Sequence, residues 1–212
     1  MQELEFVLPQ EIEKRSFEII EQELKLQGIV LPEETAMVTK RAIHTSADFD
    51  YAQSLVFSEG VMEKAKELIQ SGAHIVTDTN MAKAGINKTV LARYGGEVHC
   101  FMAEEEVAAI AKEHKTTRAA VSMEFAAKLE VPVIFAIGNA PTALVRLYEM
   151  ITEEKFQPAM IIGVPVGFVN VVQSKELILH TEVPYIINRG RKGGSNVAAA
   201  ICNAILYEMG ER

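Results

Sequence analysis

Hydrophobic and polar positions follow two different patterns along the chain, and the pattern changes near residue 73. Before that point, apolar residues recur every three or four positions, which is typical of amphipathic helices. One such pattern runs from Pro9 to Leu26, and Gly28 lies just past its end. A second runs from Pro32 to His44, and a third from Gly60 to Ile69. These patterns predict three helices in the N-terminal part of the chain.

From residue 73 onward, short apolar runs alternate with helical patterns, and the central runs are apolar at every position. This alternation indicates a mainly parallel sheet covered on both sides. We therefore expect one α/β domain over residues 1–212, in which a five-stranded sheet lies between two layers of helices in a three-layer α/β/α arrangement. The predicted strands are Ala73–Thr77, Glu97–Phe101, Val131–Ile137, Met160–Gly163 and Tyr185–Ile187. The predicted helices lie near residues 87–94, 104–115, 117–129, 141–153, 174–180 and 195–209.

The charge balance narrows the choice of partners. The 212 residues include 21 Lys and Arg against 29 Asp and Glu, a net charge of −8, which argues against nucleic acid or an anionic membrane as the main partner. The longest uncharged stretch, Gln157–Ser174, is broken by prolines and glycines and makes a poor membrane span. Cys100 and Cys202 form no CxxC pair, and residues 1–10 lack a secretory pattern, so we expect a cytoplasmic protein.

The segment from Arg41 to Tyr51 holds the densest group of side chains that can move a proton. His44 is predicted at the end of its helix, with Arg41 one turn earlier on the same face. An imidazole titrates near neutral pH, so His44 suits a general acid or base. A histidine that merely caps the helix is an equally good explanation. Asp48 and Asp50 could form a carboxylate pair, but a solvated helix start fits them better.

Four loops follow the predicted strands at the edge where ligands of such sheets bind. They span residues 77–81, 137–142, 163–168 and 188–196, and all are rich in Gly, Pro, Asn or Thr. Ordinary turns favour the same residues. The last loop carries Arg189, Arg191 and Lys192 directly before Gly193–Ser195, which indicates an anionic ligand. Neither GxxxxGK[ST] nor GxGxxG is present, so a carboxylate suits this loop at least as well as a phosphate.

The other histidines give no sign of a metal site. His74 and His99 lie in predicted strands, where a structural or solvated role is the simpler interpretation. His99 and Cys100 are neighbours on one strand, so they face opposite sides and cannot share a metal ion. We therefore predict no metal ligands.

Taken together, these segments resemble the precorrin-8X methylmutases, the isomerases of corrin-ring assembly in cobalamin biosynthesis. The resemblance extends over nearly the whole chain. It is carried by Lys14–Ile20, Arg41–His44, Thr117–Ala120, Ala136–Leu144, Gly163–Val169, Ser174–Glu176 and Gly190–Ser195.

The resemblance implies a flavodoxin-like fold, a homodimer whose sites are lined by both subunits, and a tetrapyrrole substrate. It also implies a 1,5-sigmatropic shift of a methyl group from C11 to C12 of the macrocycle, with no cofactor. The family's catalytic histidine matches His44, and its substrate-contacting serine and arginine match Ser16 and Arg41. Motif position and charge add further substrate-binding candidates, namely Arg15, Asn80, Arg118, Asn139, Thr142, Arg191 and Lys192.

Two other functions remain open at the level of sequence. A non-catalytic corrinoid carrier would explain the cationic loop but would leave His44 without a task. A nucleotide-dependent transferase would use Gly193–Ser195, although the phosphate-loop spacing is missing. Within the isomerase interpretation, the His44–Tyr51 segment favours the cobalt-containing ring over the metal-free one.

Overall fold

The structure is a computed structural model that describes residues 4–210. After a short 3-10 turn at Pro9–Glu11, its helices are α1 (Ile12–Leu26), α2 (Glu33–Ser46), α3 (Tyr51–Ser54), α4 (Val61–Gln70), α5 (Asn80–Gly85), α6 (Lys88–Ala92), α7 (Glu105–Glu113), α8 (Arg118–Ala126), α9 (Pro141–Thr152), α10 (Val171–Leu179) and α11 (Ser195–Glu208). Its strands are β1 (Leu55–Phe57), β2 (His74–Thr77), β3 (Val98–His99), β4 (Val133–Ile137), β5 (Met160–Gly163) and β6 (Tyr185–Asn188).

The strands form one mixed sheet in the order β1-β6-β5-β4-β2-β3. Only the β1–β6 pair is antiparallel among the described strands, so the sheet is mainly parallel as predicted. The prediction of five strands is wrong, because β1 adds a sixth. Leu55–Phe57 was missed since three residues directly after a four-residue helix are too few to show an alternating pattern. The predicted loop over residues 77–81 is also partly wrong, because α5 begins at Asn80 and its six residues are too few to show a helical pattern.

The five parallel strands follow the order 2-1-3-4-5, counted from β2, that flavodoxin-like folds share. Strand β3 lies on one side of β2 and strand β4 on the other, so the strand order reverses between β2 and β4. The crevice outside the carboxyl ends of these two strands is the usual ligand position of such folds.

Side-chain alternation along the strands divides the core between two layers. Ile75, Ile134 and Ile162 face one side, where they pack with residues of α1, α2, α4 and α11. Val76 and Phe135 face the other side, where they pack with residues of α8, α9 and α10. The predicted three-layer arrangement therefore follows from period-2 alternation of apolar strands.

Helix α2 extends two residues beyond His44, to Ser46, and ends at Ala47 in the left-handed conformation with φ 53°. The prediction that His44 ends the helix is therefore wrong by half a turn, and His44 lies within the last turn. The buried face of α2, which includes Val38 and Ala42, packs against α11. This packing fixes the orientation of the exposed His44 side chain relative to α11.

Main chain packs directly against main chain where the loops meet at the carboxyl edge of the sheet. The amide of Gly194 donates to the carbonyl of Val164 at 2.9 Å. A Cβ on Gly193, which has φ 154°, would overlap this same carbonyl oxygen, and a Cβ on Gly138 would lie 2.7 Å from the Cα of Ser195. Glycine is required at both positions by the close approach of a second backbone.

We expect Gly193→Ala to lower the free energy of unfolding by about 3 kcal/mol or more, because the new methyl group overlaps backbone that cannot yield. Gly190→Ala is the matched control in the same loop. Gly190 has φ 78°, but a Cβ at this position would meet no neighbouring atom. Gly190→Ala should therefore lose only the cost of holding alanine in a left-handed conformation, about 1–2 kcal/mol. Urea unfolding of both variants measures the difference, and equal losses would contradict the close approach.

Candidate functional site

Two aromatic rings and two charged groups surround the helix turn that carries the predicted acid. The His44 ring stacks on Phe17 of α1, with ring centroids 5.4 Å apart and planes 22° from parallel. The guanidinium of Arg41 lies over the same Phe17 ring at 4.7 Å and over the Tyr207 ring at 5.6 Å, and it pairs with Glu13. Ring stacking holds His44, and the cation–π contacts hold Arg41, in defined positions. The structure therefore brings His44 and Arg41 together, as predicted.

His44 lines two cavities, one on each side of α2. The first, of about 330 Å³, lies between α2 and α11 and is also lined by Arg41, Asn203 and Tyr207. The second, of about 240 Å³, lies between α1 and α2 and includes Ser16. A side chain that opens to both cavities can contact a ligand that spans them.

The electrostatics of this pair disfavour a proton on His44 in the free protein. Partial burial first, and the positive charge of Arg41 second, lower the pKa of His44 below its ordinary value of 6.5. The Nε atom of Arg41 is buried and finds no hydrogen-bond partner within residues 4–210. A buried N–H that lacks a partner favours an incoming acceptor, such as a carboxylate oxygen.

Ser16 and Arg15 lie on the same helix but have different surroundings. The Ser16 hydroxyl donates to the carbonyl of Ile12 at 2.8 Å, while its side chain borders the second cavity with His44. Arg15 is partly exposed and pairs with Glu5 at 2.7 Å and Glu18 at 3.5 Å. Ser16 therefore joins the His44 group, whereas the charge of Arg15 is balanced by its own neighbours.

The cationic loop after β6 is joined to the segment that follows His44. Lys192 pairs with Asp48 at 2.6 Å and also with Asp50. These carboxylates, expected to be a solvated helix start, instead hold the loop, and they raise the pKa of Lys192. Much of the charge of Lys192 is therefore matched within the protein. Arg191 is exposed, and its guanidinium lies 5.5 Å from the Phe168 ring centroid.

A fully buried lysine holds the cationic loop after β6 through hydrogen bonds to its main chain. The Nζ of Lys175 on α10 donates to the carbonyls of Gly190 and Lys192 at 2.8 Å each. Burial lowers the pKa of Lys175 to about 8. Both hydrogen bonds fix the carbonyls inward, so the loop presents its side chains outward.

The crevice between β2 and β4 contains a carboxylate of the protein itself. The buried Asp78 accepts three backbone N–H groups, from Gly138 at 2.9 Å, Asn139 at 2.8 Å and Ala140 at 2.5 Å. Burial raises the pKa of Asp78, while these hydrogen bonds oppose the rise. The amide nest in front of α9, a position that often binds anions, is thus occupied by Asp78.

The remaining candidates lie on the rim of this edge or beyond it. Asn80 at the start of α5 and Asn139 in the loop before α9 are exposed. Thr142 shares a hydrogen bond of 2.8 Å with the hydroxyl of Thr117, which joins the starts of α8 and α9. Arg118 is exposed at the start of α8. No contact in the described part of the chain links these four residues to His44.

Sequence reasoning missed several side chains that build the site. Phe17 lies next to Ser16 in the Lys14–Ile20 segment, yet an aromatic residue on an amphipathic helix gave no reason to place it against His44. Asn203 and Tyr207 occupy the otherwise apolar α11, and polar groups at i and i+4 on such a helix are the signal that could have identified them. Lys175 within an apolar helix gave a similar signal.

No helix in the described residues 4–210 is both long and apolar enough to cross a membrane.

The family model described as "CbiC: Precorrin-8X methylmutase" matches residues 11–208. A cobalt-precorrin-8 methylmutase of Priestia megaterium is 42% identical over 199 residues, which cover 94% of this chain and 88% of the relative. A precorrin-8X methylmutase of Pseudomonas aeruginosa is 39% identical, over 94% of this chain and 95% of the relative.

The fold matches as well as the sequence. The crystal structure of precorrin-8x methyl mutase from Thermus thermophilus superposes with a TM-score of 0.83 at 36% identity, and covers 93% of this chain and 96% of that one. A family match over most of the chain, together with identities above a third, leaves one assignment. The chain belongs to the precorrin-8X methylmutase family.

Proposed function

We propose that this protein is an isomerase that moves a methyl group from C11 to C12 of precorrin-8 or its cobalt counterpart. The exposed imidazole of His44 carries the proposal, because it opens to two cavities and has Arg41 one turn away. The names of the relatives support the same reaction. We propose His44 as the general acid and base of the reaction.

A methyl shift within one molecule needs no group from outside the ring, so the protein contributes orientation and a proton. His44, once protonated, donates its proton to the conjugated ring or to a ring nitrogen. This withdraws electron density, so that the bond from the methyl group to C11 breaks as the bond to C12 forms. The proton then returns to His44, and the product is an isomer of the substrate.

Arg41 couples substrate binding to this proton. In the free protein its charge helps to lower the pKa of His44. Precorrin-8 carries acetate and propionate side chains, and a carboxylate bound to Arg41 offsets that charge. His44 then becomes a stronger base and holds the proton that it must donate. We propose Ser16, on the other side of His44, as a second contact to the macrocycle.

We assign the other cations to the carboxylates at the periphery of the ring. Arg191 is exposed in the loop supported by Lys175, and Lys192 can exchange its aspartate partners for a substrate carboxylate. Arg118 and Arg15 extend this set, and Asn80, Asn139 and Thr142 offer polar contacts on the sheet edge. These assignments rest on motif position, charge and exposure.

A homodimer supplies the walls that one chain lacks. Cavities of about 330 and 240 Å³ fall at or below the lower end of sites for drug-sized ligands, and a tetrapyrrole with its side chains is larger. A second chain placed across them would enclose the ring. The exposed loop with Phe168 and Val169, 82% and 79% accessible, offers apolar surface for such a contact.

We further propose the cobalt-containing ring as the substrate. The 42% identical relative is named for the cobalt form, which supports this choice. The methyl shift itself is the same in the cobalt-containing and the metal-free ring.

We expect purified wild-type protein to convert cobalt-precorrin-8 to cobyrinic acid under anaerobic conditions, and His44→Ala to be slower by about 10²–10⁴-fold. Parallel reactions with precorrin-8 identify the preferred ring. Conversion is followed by absorbance and chromatography. His114→Ala is the matched control, because His114 is exposed at the end of α7 and has no place in the site. Binding of the ring without conversion by the wild type would favour the carrier instead.

We expect Arg41→Ala to raise the pKa of His44, because it removes the second of the two causes that lower it. Titration of the histidine ring signals by NMR in the free protein measures the change. Lys64→Ala is the control, since this exposed cation on α4 pairs with Glu67 and does not act on His44. An unchanged His44 titration in Arg41→Ala would remove the coupling from the mechanism.

The lowered pKa of His44 also makes the free energy of unfolding depend on pH. Native His44 holds its proton less tightly than an unfolded imidazole, so its neutral form is favoured by folding. This contribution is present above pH 6.5 and is lost as the pH falls through and below 6.5. Arg41→Ala should reduce the loss.

We expect light scattering coupled to gel filtration to give twice the mass of one chain. Phe168→Ser should weaken the dimer, because it removes apolar surface from the exposed loop. Leu26→Ser is the control, since Leu26 is equally exposed, at 86%, at the end of α1. A monomeric wild type that still converts its substrate would contradict the shared site.

A further inference from the structure

A cluster of two histidines and one glutamate lies on the edge of the sheet away from His44. His74 begins β2, and His99 ends the edge strand β3. The pairing of Val76 with His99 and the alternation of side chains place His74, Glu97 and His99 on one face of the sheet. Val76 packs on that face with α8, α9 and α10, whereas α2, which carries His44, packs on the other. The sheet separates the cluster from the proposed active site.

The three side chains bring their ligand atoms together. The Nδ1 of His74 lies 2.8 Å from the Nε2 of His99, and the Oε2 of Glu97 lies 3.8 Å from that same Nε2. One ligand atom from each residue lies within 4.8 Å of the other two. Two imidazole nitrogens on a tetrahedral zinc ion are about 3.3 Å apart, given Zn–N bonds of about 2.0–2.1 Å. Opening the pair by about 0.5 Å would admit the ion.

Both imidazoles can make this movement and can offer a lone pair. His74 is partly exposed, and the side chain of His99 is 23% accessible. Burial first, then the charges of His74 and Lys83, lower the pKa of His99, while Glu97 raises it. An imidazole binds metal through a nitrogen lone pair, so the ion competes with protons for these ring nitrogens. A metal ion would replace the hydrogen bond between the two rings.

We propose that His74, Glu97 and His99 form a binding site for one divalent transition-metal ion of the zinc class. Imidazole and carboxylate ligands suit Zn²⁺, and three protein ligands leave a fourth position for water. The site would link β3, which pairs through only two residues, to β2. The metal ion would have a structural effect. A two-residue edge strand is weakly held, and a metal bridge would fix the register of β3 against β2.

Lys83 lies close enough to the cluster for its charge to affect metal binding. Its charge acts on His99, so it also repels a cation in the site. Removal of a ligand should weaken metal binding, whereas removal of the Lys83 charge should strengthen it. If the metal bound only to scattered surface histidines, its affinity would not change in Lys83→Ala.

The test is calorimetric titration of the full chain, prepared without a histidine tag, with Zn²⁺. We expect one equivalent to bind to the wild type, with affinity about 10–100-fold weaker in His74→Ala and His99→Ala and several-fold tighter in Lys83→Ala. Glu97→Gln, at a side chain that is 71% accessible, should also weaken binding and should not affect folding. The thermal midpoint should rise with Zn²⁺ in the wild type but not in His99→Ala.

Two control variants separate this site from chance ligands. Cys100→Ser removes the thiol next to His99, which is not one of the three proposed ligands, and His114→Ala removes an exposed histidine elsewhere. Both should bind Zn²⁺ as the wild type does. The proposal is overturned if the wild type shows no saturable binding of one equivalent, if His99→Ala or Glu97→Gln keeps the wild-type affinity, or if Cys100→Ser abolishes binding.

Discussion

The buried carboxylate of Asp78 is the constraint on which the arrangement of the site depends. It lies at the end of β2 and accepts three amide hydrogens from the loop that follows β4. Three such donors would be expensive to bury without an acceptor, so the loop has one stable conformation. That conformation places Gly138 against the start of α11, at Ser195. The carboxylate thus helps to position α11 through this loop.

The position of α11 in turn determines the surroundings of His44. Helix α2 packs along α11, and the polar side chains of Asn203 and Tyr207 face the cavity that Arg41 and His44 border. On the opposite side, α1 contributes Phe17 as a stacking surface. The His44 side chain is therefore exposed, while the helices around it are held by packing. Preorganisation of this kind suits the acid role proposed for His44, because no costly rearrangement of the protein is needed.

The sequence was sufficient for the layers of the fold, because long apolar runs alternate with amphipathic helices and few folds accommodate that pattern. It was insufficient for β1, whose three residues show no periodicity. His44 and Arg41 could be paired because one helical turn separates them. Phe17 and Tyr207 could not be placed beside them, since contacts between distant helices depend on crossing angles that no local pattern encodes.

The same limit applies to charge. Lys192 was assigned to an anionic ligand from its loop, but its partners in the fold are Asp48 and Asp50, more than 140 positions away. Lys175 is buried within an apolar helix, and its contacts with the carbonyls of that loop could not be known from the sequence. Net charge identifies a candidate surface, and only the fold shows which charges are already balanced.

The close approach of backbone at Gly138 and Gly193 has a consequence for how this scaffold can change. Where peptide groups touch each other, the shape of the surface no longer depends on side-chain identity, and there is no room to add any. Substitution of either glycine would disrupt the packing of the two loops. New specificities can arise at exposed neighbours such as Asn139 and Arg191 and on α1, α2 and α11, so side chains can vary while the backbone contacts stay constant.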